Sequence, residues 1–238
     1  MTGAVSPEQV LAALETVLDP ELDRSIVELG FVEGVEIAPA EVVVALRLPT
    51  FWCAPNFSWL MAEDAREAVR RLGVPRVRVV LRDHHASAEI SEAVSAGRSF
   101  AETFPADTVD NLDALRRQFR RKAFYLRQEA LVRTLPAACR TADLRLGDLP
   151  DTPAAAAYRA VRAELGLACG PEALVFTDAD GRAVGDLTGH LRRIRLLRTS
   201  LEANTALCRG LLETRYGCGA SGGRTARVAL LERERECP

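Results

Sequence analysis

Apolar positions in the first twenty residues recur at helical spacing. Ser6-Pro7-Glu8-Gln9 predicts a helix start, with Ser6 as cap, Pro7 in the first helical position and Gln9 closing a capping box. Val10, Leu11, Leu14, Val17 and Leu18 form the apolar stripe, and Asp19-Pro20 is expected to stop the helix. Two β-rich runs follow, residues 31–37 and 41–48, separated by a short Ala-Pro-Ala turn and so read as a hairpin. Asn56 is placed to cap a helix carrying Trp59, Leu60, Ala65, Ala68 and Leu72, which Gly73 ends. In residues 74–81, Val77, Val79 and Leu81 alternate with arginines, which predicts a third strand.

Beyond this the pattern is mainly helical. A short helix is predicted over 87–97, then a long one after Pro105 with Leu112, Leu115, Phe119, Ala123, Leu126 and Ala130 on one stripe. Tyr158, Val161 and Leu165 mark a further helix, and residues 174–176 and 183–184 around Asp180-Gly181 suggest a small hairpin. Asp178-Ala179-Asp180-Gly181 lacks the closing glutamate of a calcium loop and reads as a turn. Leu191, Ile194, Leu197, Leu201, Cys208 and Leu212 trace a last long helix. The prediction is an α+β fold: a small α-β-β-α-β domain over 1–86, a mainly helical region over 87–217, and a loose Gly- and charge-rich tail over 218–238.

A chain of 238 residues buries enough surface to fold without a disulfide or a metal. The net charge of −2 gives no global electrostatic case for nucleic acid or an anionic membrane, and few aromatics are available to stack bases. No secretory signal or membrane-spanning run is visible, so reduced thiols in a cytoplasm are expected. The six cysteines show no CxxC spacing, which excludes zinc-ribbon and finger patterns. Charge is polarised: the first fifty residues hold nine acidic side chains against Arg24 and Arg47, whereas the helix over 112–133 carries Arg116, Arg117, Arg120, Arg121, Lys122 and Arg127. That basic face fits attraction within the chain, docking of an acidic partner, or a solvated helix surface.

Three local signatures carry a family resemblance: Asp19-Pro20-Glu21-Leu22, the run Ser25-Ile26-Val27-Glu28-Leu29-Gly30-Phe31-Val32, and the loop around Cys53 between a strand and a helix. In this order and spacing they resemble the iron–sulfur assembly domain of the SufT and PaaD (MIP-like) type, over about the first third of the chain. The resemblance implies a small α/β domain that helps to mature iron–sulfur proteins, and for PaaD-like members a multicomponent oxygenase with a diiron centre as the system served. Here Ala54 stands between the loop cysteine and Pro55, where the family usually has proline directly, and residues 86–238 have no counterpart in small family members.

Cys53 is the leading candidate for chemistry. A thiol just before a helix faces unpaired N–H groups and the positive end of the macrodipole, which favour the thiolate that ligates iron or attacks a disulfide. Phe51 and Trp52 beside it can limit solvent or dock a partner. Asp19 opposes the dipole of the helix it is expected to end, and Glu21 adds a second carboxylate; the resemblance implies that both face the cysteine loop. His84 and His85 follow the third strand, where neighbouring side chains point to opposite faces, so at most one is expected to reach that loop. Imidazole is a good iron ligand. His190 reads as a surface or capping residue, and Cys208, in the apolar stripe of the last helix, as a core thiol.

No P-loop and no HExxH is present. The leading expectation is an accessory maturation factor that carries iron or an iron–sulfur cluster transiently to a client iron-dependent enzyme. Cys53 is then the ligand or transfer thiol, with Asp19, Glu21, His84 and His85 as assisting groups. Phe51, Trp52, Arg116, Arg117, Arg120 and Arg121 are the expected partner contacts, with no role for nucleic acid or membrane. A metal-free chaperone or adaptor, a thiol-dependent enzyme using Cys53, and a homodimer completing a site from two copies of Cys53 are the alternatives.

Overall fold

The computed structural model describes residues 5–38, 40–105, 112–217 and 227–229. They form two compact units: residues 1–112 with 205–238, and residues 113–204. An N-terminal α/β region is followed by a mainly helical one, as the sequence pattern implies.

The first unit contains α1 (Pro7–Glu15), β1 (Leu18–Asp19), β2 (Arg24–Ser25), β3 (Val32–Ala38), β4 (Glu41–Arg47), α2 (Pro55–Arg70), β5 (Arg76–Arg82), α3 (Ser87–Ala96) and α4 (Phe100–Thr103). The four-stranded sheet has the order β5-β4-β3-β6, where β6 is Arg227–Ala229, within the segment expected to be a tail. β3 and β4 form the expected antiparallel hairpin, while β5 joins β4 in parallel through α2, as a strand returned by a crossover helix must. Val42, Val44 and Leu46 of β4 and Val77, Val79 and Leu81 of β5 point to one buried face. Trp59, Ala62, Ala65 and Val69 of α2 and Ile90 and Ala93 of α3 are fully buried. Ser91 and Ser95 of α3 accept the N–H groups of Leu81 (2.9 Å) and Val79 (3.1 Å), occupying donors of the sheet edge that would otherwise be unpaired.

Two helix ends differ from the sequence reading. α1 stops at Glu15 with Thr16 as C-cap, because Val17 and Leu18 pass into the β1–β2 pair, where Ile26 N–H donates to the Val17 carbonyl (3.0 Å) and Leu18 faces Ser25. α2 begins at Pro55 with Ala54 as N-cap, so Asn56 is inside the helix rather than capping it; proline's fixed φ suits the first helical position.

The second unit contains α5 (Leu112–Thr134) from Asp113 onward, α6 (Pro153–Glu164) and the first part of α7 (Leu187–Tyr216). Its core is Phe124, Leu131, Val132, Leu146, Tyr158, Val161, Val175 and Phe176. The buried side of α5 is rotated from the predicted stripe: Ala130 is exposed, whereas Gln128 and Glu129 are buried. Gln128 turns inward because its amide donates to Tyr158 Oη (2.8 Å) and the Val175 carbonyl (3.1 Å), and Glu129 because it meets Arg198 (3.1 Å). His190 is likewise buried rather than superficial, with Nε2 2.5 Å from Gln128 Oε1. The expected hairpin over 174–184 reduces to single bridges, Arg145 with Leu174 and Thr177 with Ala183, around a tight turn at Asp178.

Candidate functional site

Asp19 does not end a helix. It lies in β1, and its Oδ1 accepts the N–H groups of Glu21 (2.9 Å) and Leu22 (2.7 Å). The carboxylate thus holds the Asp-Pro-Glu-Leu turn, a local side-chain-to-backbone arrangement that aspartate makes readily. No dipole penalty arises, and the awkwardness read from the sequence disappears. Asp19 is buried and Glu21 exposed.

The Cys53 loop leaves β4 through buried Leu48 and Pro49 and enters α2 at Pro55. Thr50 Oγ1 lies 3.2 Å from Cys53 Sγ. From the other side His84, only 3% exposed, reaches the loop: Nε2 is 2.6 Å from the Cys53 carbonyl oxygen and 3.2 Å from Ser58 Oγ. Its Nδ1 accepts the Ala86 N–H (3.1 Å), which leaves the proton on Nε2 to be donated to Cys53. Burial lowers the His84 pKa, with the charges of His85 and Arg215 adding to the effect against the bond to the Cys53 carbonyl. His84 is therefore a neutral strut for the loop, both ring nitrogens engaged.

Asp83 turns the chain after β5 with a left-handed φ of 52°, a conformation aspartate tolerates. Beyond it His85 is exposed and stacks on Trp52 with ring centroids 5.3 Å apart, and its N–H donates to the Phe51 carbonyl (3.1 Å). Phe51 packs edge-on against Trp52, and Trp52 is 75% exposed. An aromatic platform thus stands beside the loop thiol.

The end of α7 supplies what the sequence reading missed. Leu212 lies against Gly30, Arg209 Nη2 bonds the Glu28 carboxylate (3.2 Å), and Arg215 donates to the carbonyls of Leu48 (3.4 Å) and Asp83 (2.7 Å). Cys208 shares this inward face and is half-buried. Burial pushes its thiol up to about 11, and the negative charges of Asp19, Cys53 and Glu21 contribute. Among the described residues no three His, Cys, Asp or Glu side chains form a ready metal cage, and Cys53, Cys139, Cys169 and Cys208 are free thiols.

In the second unit, Arg121 and Arg120 of the expected docking arginines are engaged with carboxylates. Arg121 binds both oxygens of Asp180, at 3.0 Å for Nη2 to Oδ2, and Arg120 is 3.9 Å from Glu164. Arg117 is exposed and Arg116 half-buried.

The N-terminal region has matches among known proteins. Residues 7–81 match the family model described as iron-sulfur cluster assembly protein, a span that holds the Asp-Pro-Glu-Leu turn, the Cys53 loop and α2. The chain is 38% identical over 90 residues to an uncharacterized protein of Methanocaldococcus jannaschii, an alignment covering 37% of this chain and 93% of that protein. No solved structure matches significantly. The chain belongs, through this N-terminal region, to the iron–sulfur cluster assembly protein family. That membership supports a role in iron–sulfur cluster assembly or maturation.

Proposed function

We propose that the protein is an accessory factor that receives iron, as ferrous ion or cluster, at Cys53 and passes it to a client enzyme. The observation that carries this reading is the Cys53 loop itself, which lies within the family-matched region and is held by Thr50 and by the neutral His84 strut. Iron here is cargo. Cys53 contributes a thiolate ligand, Asp19 and Glu21 supply negative charge that attracts the cation, and His84 fixes the loop without coordinating. Within the family, the Asp-Pro-Glu-Leu turn and the following run favour the SufT and PaaD type.

Exposed Phe51, Trp52 and His85 form the surface offered to the client, with exposed Leu207 and Leu211 on α7 as further contacts. An aromatic surface beside a transfer thiol brings the acceptor's ligands close to the departing iron. Large exposed aromatics are common anchors of protein interfaces. No helix among the described residues is long and apolar enough to cross a membrane, and the free thiols suit a reducing cytoplasm. The reading is tested by anaerobic reconstitution with ferrous iron and sulfide, followed by measurement of bound iron per chain. Wild type is expected to retain iron and Cys53→Ser to lose it; equal retention by the two would reject the role of Cys53.

A further inference from the structure

We propose that the second unit holds a binding site for a neutral apolar molecule bearing a hydroxyl, which His190 and Tyr125 recognise. The site lies wholly within residues 113–204, so the proposal stands apart from the reading of Cys53.

A cavity of about 440 Å³ opens between α5, the first turns of α7 and the turn at Asp178. Small-molecule sites typically enclose roughly 300–1,000 Å³. Val184, Ile194 and Leu197 give this one apolar walls, and Tyr125, His190 and Arg193 add polar groups.

His190 is 5% exposed, and Gln128 fixes its tautomer. The Gln128 amide nitrogen is committed to the Val175 and Thr177 carbonyls (3.1 and 3.3 Å) and to Tyr158 Oη (2.8 Å), which itself donates to Val175. Gln128 Oε1 is therefore the atom 2.5 Å from His190 Nε2, and Nε2 must carry the proton. Nδ1 keeps its lone pair and, among the described residues, has no hydrogen-bond partner, on a ring that lines the cavity. Burial holds this imidazole below its ordinary pKa, which keeps it neutral at neutral pH. Packing alone rarely leaves so buried a side chain with an open acceptor.

Tyr125 stands beside it, with ring centroids 6.0 Å apart. Its Oη accepts the Ala179 N–H (3.1 Å) and keeps its own proton to donate. An acceptor and an O–H donor on neighbouring rings match a hydroxyl, which both donates and accepts. The surrounding charges select a neutral occupant. Asp178 accepts the N–H groups of Asp180 and Arg182 (both 2.9 Å), and Asp186 caps α7 through the Gly189 N–H (2.9 Å). One exposed guanidinium, Arg193, against these two carboxylates leaves no surplus for an organic anion. Arg193 and the positive end of α7 in turn oppose a cation.

The test uses the full chain and 2-naphthol, with 2-methoxynaphthalene as the matched probe that cannot donate, and reads affinity by isothermal titration calorimetry. Wild type is expected to bind 2-naphthol at least about tenfold more tightly, because a site acceptor left unpaired penalises the analogue that lacks the donor. His190→Phe keeps a ring but removes the acceptor, and should bind the two probes alike. Leu197→Trp fills the cavity from a half-buried position and should lose both probes; it decides the matter where His190→Phe fails to fold. Equal affinity of wild type for the two probes overturns the role of His190. Absence of 2-naphthol binding, or binding that Leu197→Trp leaves unchanged, overturns the site.

Discussion

Replacing His84 with alanine removes the strut under the Cys53 loop. The ring is 3% exposed and satisfies two backbone groups, the Cys53 carbonyl at 2.6 Å and the Ala86 N–H at 3.1 Å. Leaving a buried polar group unpaired costs about 1–3 kcal/mol, and two such groups, with water reaching the loop side, set the expected loss at about 2–4 kcal/mol. The assay is built into the chain, because both tryptophans, exposed Trp52 and buried Trp59, lie in the first unit. Urea unfolding followed by tryptophan fluorescence should therefore show a lower midpoint for His84→Ala, and alkylation of Cys53 in the native state should accelerate. His85→Ala is the matched control: its ring is exposed on Trp52, and a change within about 0.5 kcal/mol is expected. A His84→Ala protein with the wild-type midpoint and unchanged Cys53 alkylation would refute the strut.

Other positions give separate tests. Arg162, 1% exposed, donates to the carbonyls of Ala168 and Leu174 and to Tyr158 Oη; Arg162→Leu should cost at least about 3 kcal/mol in far-UV circular-dichroism unfolding. Gly30 has a φ of +77° and a position for Cβ 3.3 Å from Leu212 Cδ2, so Gly30→Ala should lower the fluorescence midpoint by about 1–2 kcal/mol. Burial, aided by the charge of Arg193, holds His190 below the ordinary imidazole value, so on acidification the unfolded chain takes up this proton first. Its contribution is fully present above about pH 6.5 and is lost as pH falls through the lower folded value; His190→Gln should flatten that part of the stability profile.

Much of the first unit was legible because its signals are local. Strand alternation at Val77, Val79 and Leu81 and the capping box of Ser6 and Gln9 around Pro7 each state their consequence within a few residues. The Asp-Pro-Glu-Leu turn was visible too, but its reason was not. The same aspartate reads as a poorly placed helix terminus or as a turn holder, and only the pairing of Leu18 with Ser25 decides between them. His84 and His85 are indistinguishable in sequence, and the left-handed turn at Asp83 sends one inward and one to the surface. In the second unit Gln128 looks like a solvent-facing residue, because its partners on Tyr158, Val175 and His190 lie 30 or more residues away. Cys208 was hidden for the same reason. Periodicity correctly put it on the inward face of α7, but it says nothing of what that face meets.

The central claim is that this chain carries iron on Cys53 in a form that can be passed on. The most direct measurement is transfer of iron from the anaerobically reconstituted full chain to an apo-ferredoxin, read as the acceptor's cluster absorbance. The wild-type protein is expected to support transfer in the presence of an iron chelator that removes free ions, and Cys53→Ser to support none. Transfer that the chelator abolishes for wild type, or that proceeds equally from Cys53→Ser, would contradict the account.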